Sequence, residues 1–306
     1  MKKFQGAASF VAGALFTLFL FAQFSFKNES NSKEEGKREN LAKNSWSAPA
    51  LPQAISFAGE QVPMDRWDIQ EKFDRELLRN YYSQGTILYL IKSANKHFPV
   101  ISARLKAQGV PDDFKYLCIA ESMMESWAVS SAGAVGYWQF MPKTAPGYGL
   151  TVNSQVDFRK DLERSTDAAA KYLKQAYNKF GSWTAAAASF NCGMGGYNSQ
   201  ASFQGTKNYY DLMLPEETNK YIFRILTFKY LLENHESLGY LVEDDEKYQP
   251  SKYRTVQVTS NISNLAQFAR QHGTSYKILR LMNPWIKGRA LHASASKPYT
   301  IKLPAK

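Results

Sequence analysis

From Asp68 to about Leu232 the apolar residues recur three and four positions apart, broken only by short Gly, Pro and Asn signals, and no long stretch alternates apolar with polar. A period near 3.6 buries one stripe of a helix, whereas a half-buried strand needs a period of two, so the pattern dictates an all-helical domain of roughly 170 residues. Phe73, Leu77 and Leu78 mark one amphipathic helix, and Ile87, Leu88, Ile91 and Ala94 mark a second. DLERSTDAAAKYLKQAYNKFG, from Asp161 to Gly181, has acidic residues early, lysines late and a glycine stop, as the helix dipole and C-terminal turn favour. SWTAAAASFNCG follows, with Ser182 as its N-cap and Gly193 as its end. Its alanines allow a second helix to approach closely, which assigns this segment to the centre of the bundle.

Either side of this domain the pattern changes. MKKFQGAASFVAGALFTLFLFAQFSF sets two lysines before an uncharged run from Phe4 to Phe26, the layout of a secretory signal or a membrane anchor over residues 1–26. The run closes without an Ala-x-Ala site and without a lipid-bearing cysteine, which favours an uncleaved anchor with its N-terminus inside. Both readings send the rest of the chain out of the cytoplasm, into the cell envelope. Residues 27–61 are polar and charged and read as a tether, with the folded part starting near Val62. Residues 243–252 read as a second linker. Beyond it, Thr255 to Val258 is strand-like, Asn264 to His272 and Ser275 to Met282 are two short helices, and Tyr299 to Leu303 is strand-like again.

The formal net charge is +11, but its basic residues are mixed with acidic ones, so no segment resembles a nucleic-acid-binding arm. An anionic envelope polymer or a membrane surface suits such a charge outside the cytoplasm. Four histidines without ligand spacing give no metal site, and no cofactor is expected. Cys118 and Cys192 read as two small buried residues, with a single bridge as the alternative.

Pro111 and Asp112 open a helix whose apolar stripe is Phe114, Leu117 and Cys118, and the next position on that stripe is Glu121. A buried, unpaired carboxylate costs several kcal/mol, so Glu121 either meets an arginine from a neighbouring helix or stays protonated. Burial and the negative end of the helix dipole both favour the protonated form, which is the form a general acid needs. The helix alone leaves both readings open. VSSAGAVGYWQFMPKTAPGYGL follows, with Gly133 and Gly136, then Tyr137, Trp138, Gln139, Phe140, Met141 and Pro142. Its glycines allow a ligand to come close, and aromatic faces beside an amide suit a sugar ring, so this run is expected to face a carbohydrate.

ES at 121 and 122, SSAGAVGYWQFMP at 130 to 142, SFNCGMGG at 189 to 196 and EETNKYIFRIL at 216 to 226 resemble, in order and spacing, the four signature segments of lytic murein transglycosylases. The similarity extends upstream through FDRELLRNYYSQGTILYLIKSANKHFPVISARLKAQGVPDDFKYL and covers roughly residues 62 to 235. It implies a mainly α chain: a lysozyme-like, all-helical catalytic domain over 62–242, of the goose-type lysozyme fold. Residues 253–306 resemble a degenerate LysM module, strand–helix–helix–strand, in which Ser260, Asn261 and Ile262 replace the usual Gly-Asp-Thr turn.

The resemblance implies that Glu121 is the catalytic acid/base and that Ser130, Gln139, Met141, Asn191, Glu217 and Tyr221 contact substrate. The substrate implied is the peptidoglycan glycan strand, cut between N-acetylmuramic acid and N-acetylglucosamine with closure of a 1,6-anhydro ring. Glu125 would be a bystander, because at i+4 it lies on the same side of the helix as Glu121 rather than across a cleft. The family's third segment carries a tyrosine where this chain has Phe190, so one hydroxyl near the acid is missing. A hydrolase of goose-lysozyme type and a catalytically silent peptidoglycan-binding protein are the alternatives.

Overall fold

A computed structural model describes residues 47–305. The apolar run of residues 1–26 and the first part of the expected tether lie outside the described residues, and among those described no helix is long and apolar enough to cross a membrane. From Pro49 onward the chain forms one compact unit.

The expected helices are present: α1 (Trp67–Tyr81), α2 (Gln84–Ala107), α3 (Phe114–Ser122), α4 (Leu162–Phe180), α5 (Trp183–Gln204) and α6 (Glu216–Glu233). α1 and α3 pack on α6, α2 packs on α4, and α4 packs on α5. Small side chains set the last contact: Ala168, Ala169, Ala170 and Ala176 of α4 and Ala185 to Ala188 of α5 are all buried. α4 starts at Asp161, whose carboxylate accepts from the Arg164 amide at 2.9 Å, and stops at left-handed Gly181. α5 is capped by Ser182 as expected. Gly193 (φ 78°, ψ 147°) is a kink rather than an end, and a second helical stretch continues to Gln204.

The folded chain begins upstream of Val62, against expectation. β1 (Ser56–Phe57) and β2 (Glu60–Gln61) form a short antiparallel hairpin whose two turn residues, Ala58 and Gly59, both have positive φ. Phe57 is fully buried, edge-on to Phe114 at 5.1 Å between ring centres. The Glu60 carboxylate receives the first amides of α5, Trp183 N at 2.6 Å and Thr184 N at 2.9 Å, and the hydroxyls of Ser182 and Thr184 at 2.8 and 2.7 Å. Four donors and the positive end of the helix dipole meet on one carboxylate, so a segment expected as tether anchors the central helix.

The C-terminal module has the expected order: β3 (Tyr253–Val258), α7 (Leu265–Gln271), α8 (Tyr276–Met282) and β4 (Tyr299–Pro304). The strands are antiparallel, Tyr253 opposite Pro304 and Val258 opposite Tyr299. Asn264 and Ser275 cap the two helices. The module is fastened to the helical body. The Asp157 amide donates to Trp285 O and the Lys287 amide to Gln155 O, both at 2.8 Å. The Arg164 guanidinium, 3.7 Å from the centre of the Phe158 ring, also lies 5.7 Å from that of Trp285 in the module, and Glu163 takes Lys302 of the module at 2.5 Å and Arg104 at 3.2 Å.

Replacing Glu60 by Ala strips four donors at the start of α5, and we expect a loss of about 2–3 kcal/mol, read as a lower urea midpoint at unchanged slope. An unchanged midpoint would show that solvent replaces the carboxylate without cost.

Candidate active site

The site is assembled where α3 ends against α6. Glu121 occupies the last turn of α3, and the chain then reverses through two residues of positive φ, Met123 (53°) and Met124 (61°). The Ser122 hydroxyl donates to Tyr137 O at 2.7 Å, tying the end of the helix to the glycine-aromatic loop. Tyr221 of α6 is 2 % exposed, so its hydroxyl has no water to turn to, and it donates to Glu121 Oε1.

Glu121 is half-buried, open enough to meet a ligand, while packed protein around its carboxyl removes hydration. Desolvation raises its pKa to about 7; the Tyr221 hydrogen bond opposes the shift, the charge of Glu217 adds to it and that of Arg224 reduces it. The ion-pair alternative is not realised: Arg224 pairs with Glu76 of α1 at 3.6 Å, and among the described residues no cation lies within ion-pair distance of Glu121. A carboxyl half-protonated near neutrality can give a proton and take one back within the same site.

The loop after α3 does not do what its aromatic residues suggested. Trp138 is 0 % exposed and donates from Nε1 to Thr166 Oγ1 at 3.0 Å, and Phe140 is buried as well, so both are core residues rather than platforms for a sugar. Their apolar area outweighs any gain from facing a ligand. Gly136 accommodates the protein's own backbone: with φ 84°, a Cβ there would lie 2.0 Å from Arg159 O. Arg159 is held by the buried carboxylate of Asp157 at 2.8 and 2.9 Å and donates to Phe140 O at 3.0 Å.

Of the expected substrate residues, Ser130 and Gln139 close this loop. Ser130 Oγ accepts from the Ala134 amide at 3.0 Å, and Gln139, at φ 46°, donates to Gly136 O and Ala128 O at 2.8 and 3.1 Å. Met141 is 39 % exposed, which leaves its thioether free to touch a ligand. Asn191 Oδ1 accepts from Thr218 Oγ1 at 2.7 Å, one turn before Tyr221 on α6, and Glu217 is exposed in the first turn of that helix. The structure therefore gathers Glu121, Tyr221, Glu217 and the Asn191–Thr218 pair along α6. Phe190 packs edge-on to Tyr172, Phe140 and Trp138 at 5.0, 5.7 and 6.4 Å, and the hydroxyl on Glu121 comes from Tyr221. Thr218 and Arg224 were missed; their signal was the helical spacing of three on either side of Tyr221.

Residues 98–213 match the family model of the transglycosylase SLT domain, and residues 254–306 match that of the soluble lytic transglycosylase C-terminal LysM-like domain. The chain carries an SLT domain and a LysM-like domain. It is homologous to the membrane-bound lytic murein transglycosylase D of Escherichia coli strain K12, 28% identical over 262 residues that cover 82% of this chain and 55% of the relative. The same values hold for the protein of that name in strain O6:H1. The chain thus spans about half the length of these relatives. A putative tributyltin chloride resistance protein of Alteromonas sp. is 27% identical over 103 residues, 33% of this chain and 50% of that protein. Among solved structures, an inactive mutant of the lytic transglycosylase Slt from Pseudomonas aeruginosa aligns with TM-score 0.39 and 21% identity over 50% of this chain and 26% of that one.

Within the SLT domain, Glu125 departs from its expected place. The left-handed residues 123 and 124 end the helix, so Glu125 is not one turn above Glu121; it leaves α3 and accepts from the Tyr89 hydroxyl of α2. Both thiols are free: Cys118 is buried against Tyr137 O, and Cys192 contacts Ala188 O within α5. Among the described residues no group of His, Cys, Asp or Glu is placed to hold a metal ion.

A carbon-13 NMR titration of the Glu121 carboxyl should give a midpoint near pH 7, and Tyr221→Phe, which removes a bond that favours the anion, should move it higher. A midpoint in the ordinary glutamate range would contradict the desolvated site. The folded pKa lies above the unfolded one, so the contribution of Glu121 to stability is complete below about pH 4.5 and is lost as pH rises through 7. Glu121→Gln should accordingly match the wild type at pH 4 and exceed it at pH 8 by up to about 3 kcal/mol in chemical denaturation.

Proposed function

We propose that the chain is a peptidoglycan lytic transglycosylase that cleaves the β-1,4 bond between N-acetylmuramic acid and N-acetylglucosamine and leaves 1,6-anhydro-N-acetylmuramic ends. The reading is carried by one observation: a single carboxyl, Glu121, desolvated and held by Tyr221 at a pKa of about 7. A carboxyl of that pKa is protonated often enough to act as an acid at neutral pH and, once ionised, basic enough to recover a proton. The SLT domain and the murein transglycosylase relatives support the same reading.

In this mechanism Glu121 gives its proton to the glycosidic oxygen as the bond to the anomeric carbon breaks, with the neighbouring acetamido group assisting at that carbon. The ionised Glu121 then takes the proton of the muramic 6-hydroxyl as its oxygen closes on the anomeric carbon. The proton returns to the enzyme and no water is consumed. Holding the 6-hydroxyl beside the anomeric carbon supplies the proximity advantage. Tyr221 positions the carboxyl, Met141, Asn191 and Glu217 contact the strand, and Ser130 and Gln139 act by shaping the loop beneath it. Glu125, engaged by Tyr89, takes no part.

Hydrolysis is the second reading, and Glu217 is the feature that favours it, since its charge reaches Glu121 and a hydrolase needs a second carboxylate to activate water. We place the protein in the cell envelope, outside the cytoplasm, held to the membrane by residues 1–26. The LysM-like domain adds affinity for the same polymer.

Purified sacculi digested by the wild type should yield anhydro-muramic ends by mass spectrometry. Glu121→Gln should lower their formation by at least about a hundredfold and Glu125→Gln by no more than about twofold. Comparable losses from both variants would contradict the assignment of Glu121, and reducing muramic ends that disappear in Glu217→Gln would establish the hydrolase.

A further inference from the structure

A cleft of about 740 Å³ that Glu121 does not line lies between the SLT domain and the LysM-like domain, against the loop that follows α3. One wall carries Tyr89, Lys96, Trp127, Tyr137 and Lys160, and the other carries Tyr276, Lys277 and Arg280 of α8. A second cavity of about 500 Å³ shares Lys96, His97, Tyr137, Leu281 and Pro284 with it, so the space continues beneath the module.

The charges in this cleft are unbalanced. Lys96, Lys160, Lys277 and Arg280 face one carboxylate, Glu125, which is taken by Tyr89. Arg104, Lys229 and Lys302, by contrast, each have a carboxylate partner. None of the four cleft cations has a carboxylate within ion-pair distance among the described residues. Arg280 spends one nitrogen on Tyr276 Oη at 2.7 Å, and its Nε is buried with no partner. A buried guanidinium nitrogen without a partner is costly, and three ammonium groups lining the same cleft add positive charge that an anion would offset.

Aromatic surface is also left open there. Trp127 is 67 % exposed and Tyr248 46 %, and apolar faces of that size beside hydrogen-bonding groups suit the CH-rich faces of pyranose rings. Cations and aromatic faces together select a saccharide that bears carboxylates, and the volume lies within the range of small-ligand sites. Both walls are held in place by the packed junction of Asp157, Arg164 and Glu163 with Trp285 and Lys302 of the module, so the cleft is preformed.

We propose that this cleft is a second peptidoglycan site that binds the peptide-substituted disaccharide, with Lys96, Lys160, Lys277 and Arg280 on the carboxylates of the peptide stem and Trp127 against a sugar ring. It rests on the peptidoglycan reading of the preceding subsection. Its effect is to make the chain prefer peptide-bearing strands to naked glycan and to hold a strand beside the site at Glu121.

The test uses the full chain carrying Glu121→Gln, so that ligand is not consumed, and titrates it calorimetrically with a soluble disaccharide–tetrapeptide and with the same disaccharide lacking the peptide. Two further variants on that background, Lys96→Ala with Lys277→Ala and, separately, Trp127→Ala, are first shown to melt at the parent temperature. Lys96 and Lys277 come from opposite walls, so their joint loss samples both. We expect the double lysine variant to bind the tetrapeptide form about tenfold more weakly, with less dependence on salt, while its binding of the peptide-free form is unaltered. Trp127→Ala should weaken both forms. Parent-like binding of the tetrapeptide form in both variants would overturn the proposal, as would anionic phospholipid vesicles displacing it through the same lysines, which would identify a membrane-facing patch. Because binding is read without turnover, a wild type that releases no anhydro ends would sink the proposed reaction and leave this result to stand or fall by itself.

Discussion

The carboxyl of Glu121, stripped of water at the end of α3 and held by the Tyr221 hydroxyl of α6, is the contact on which the account turns. A carboxylic acid in that setting is neither a salt-bridge partner nor an ordinary surface acid; desolvation and a single donor place it near pH 7. The surrounding packing serves to hold the two helix segments at that spacing. α1 occupies Arg224 through Glu76, so that the arginine does not ionise Glu121. α5 reaches α6 through Asn191 and Thr218. The loop after α3 is fixed by Ser122 on Tyr137 and by the approach of Gly136 to Arg159, a contact that no residue with a side chain could make.

The same loop and the start of α4 fasten the LysM-like domain. Asp157 carries Arg159 on its side chain and Trp285 on its amide, and Glu163 joins Arg104 to Lys302 across the junction. A junction built from backbone hydrogen bonds and a stacked guanidinium is stiffer than a tether, so the module does not wander relative to the SLT domain. That rigidity turns the space between them into a shaped cleft with fixed walls. Four unpaired cations in such a cleft set up a field that an anionic polymer would feel before contact.

Helix order, the alanine contact between α4 and α5, the cap at Ser182 and the strand–helix–helix–strand module were legible because each rests on local periodicity or on one residue's preference. What escaped is tertiary. Met123 and Met124 adopt left-handed backbone that neither residue type advertises, so the helical projection carried Glu125 one turn too far. Trp138 and Phe140 were expected to face a carbohydrate, and only their neighbours show that both belong to the core. The Ser56–Gln61 hairpin is too short for an alternating pattern, and its value lies in a contact between Glu60 and the start of a helix more than a hundred residues later. Glu121 itself was legible as an anomaly on an apolar stripe, whereas the absence of a paired arginine became visible only with Glu76 in place.

The central claim is that one carboxyl performs both proton transfers and that water is not the nucleophile. Digestion of sacculi in water enriched in oxygen-18 tests it directly. The account predicts released muropeptides that carry no label and are lighter by one water than hydrolytic products. Oxygen-18 at the muramic anomeric carbon would contradict it.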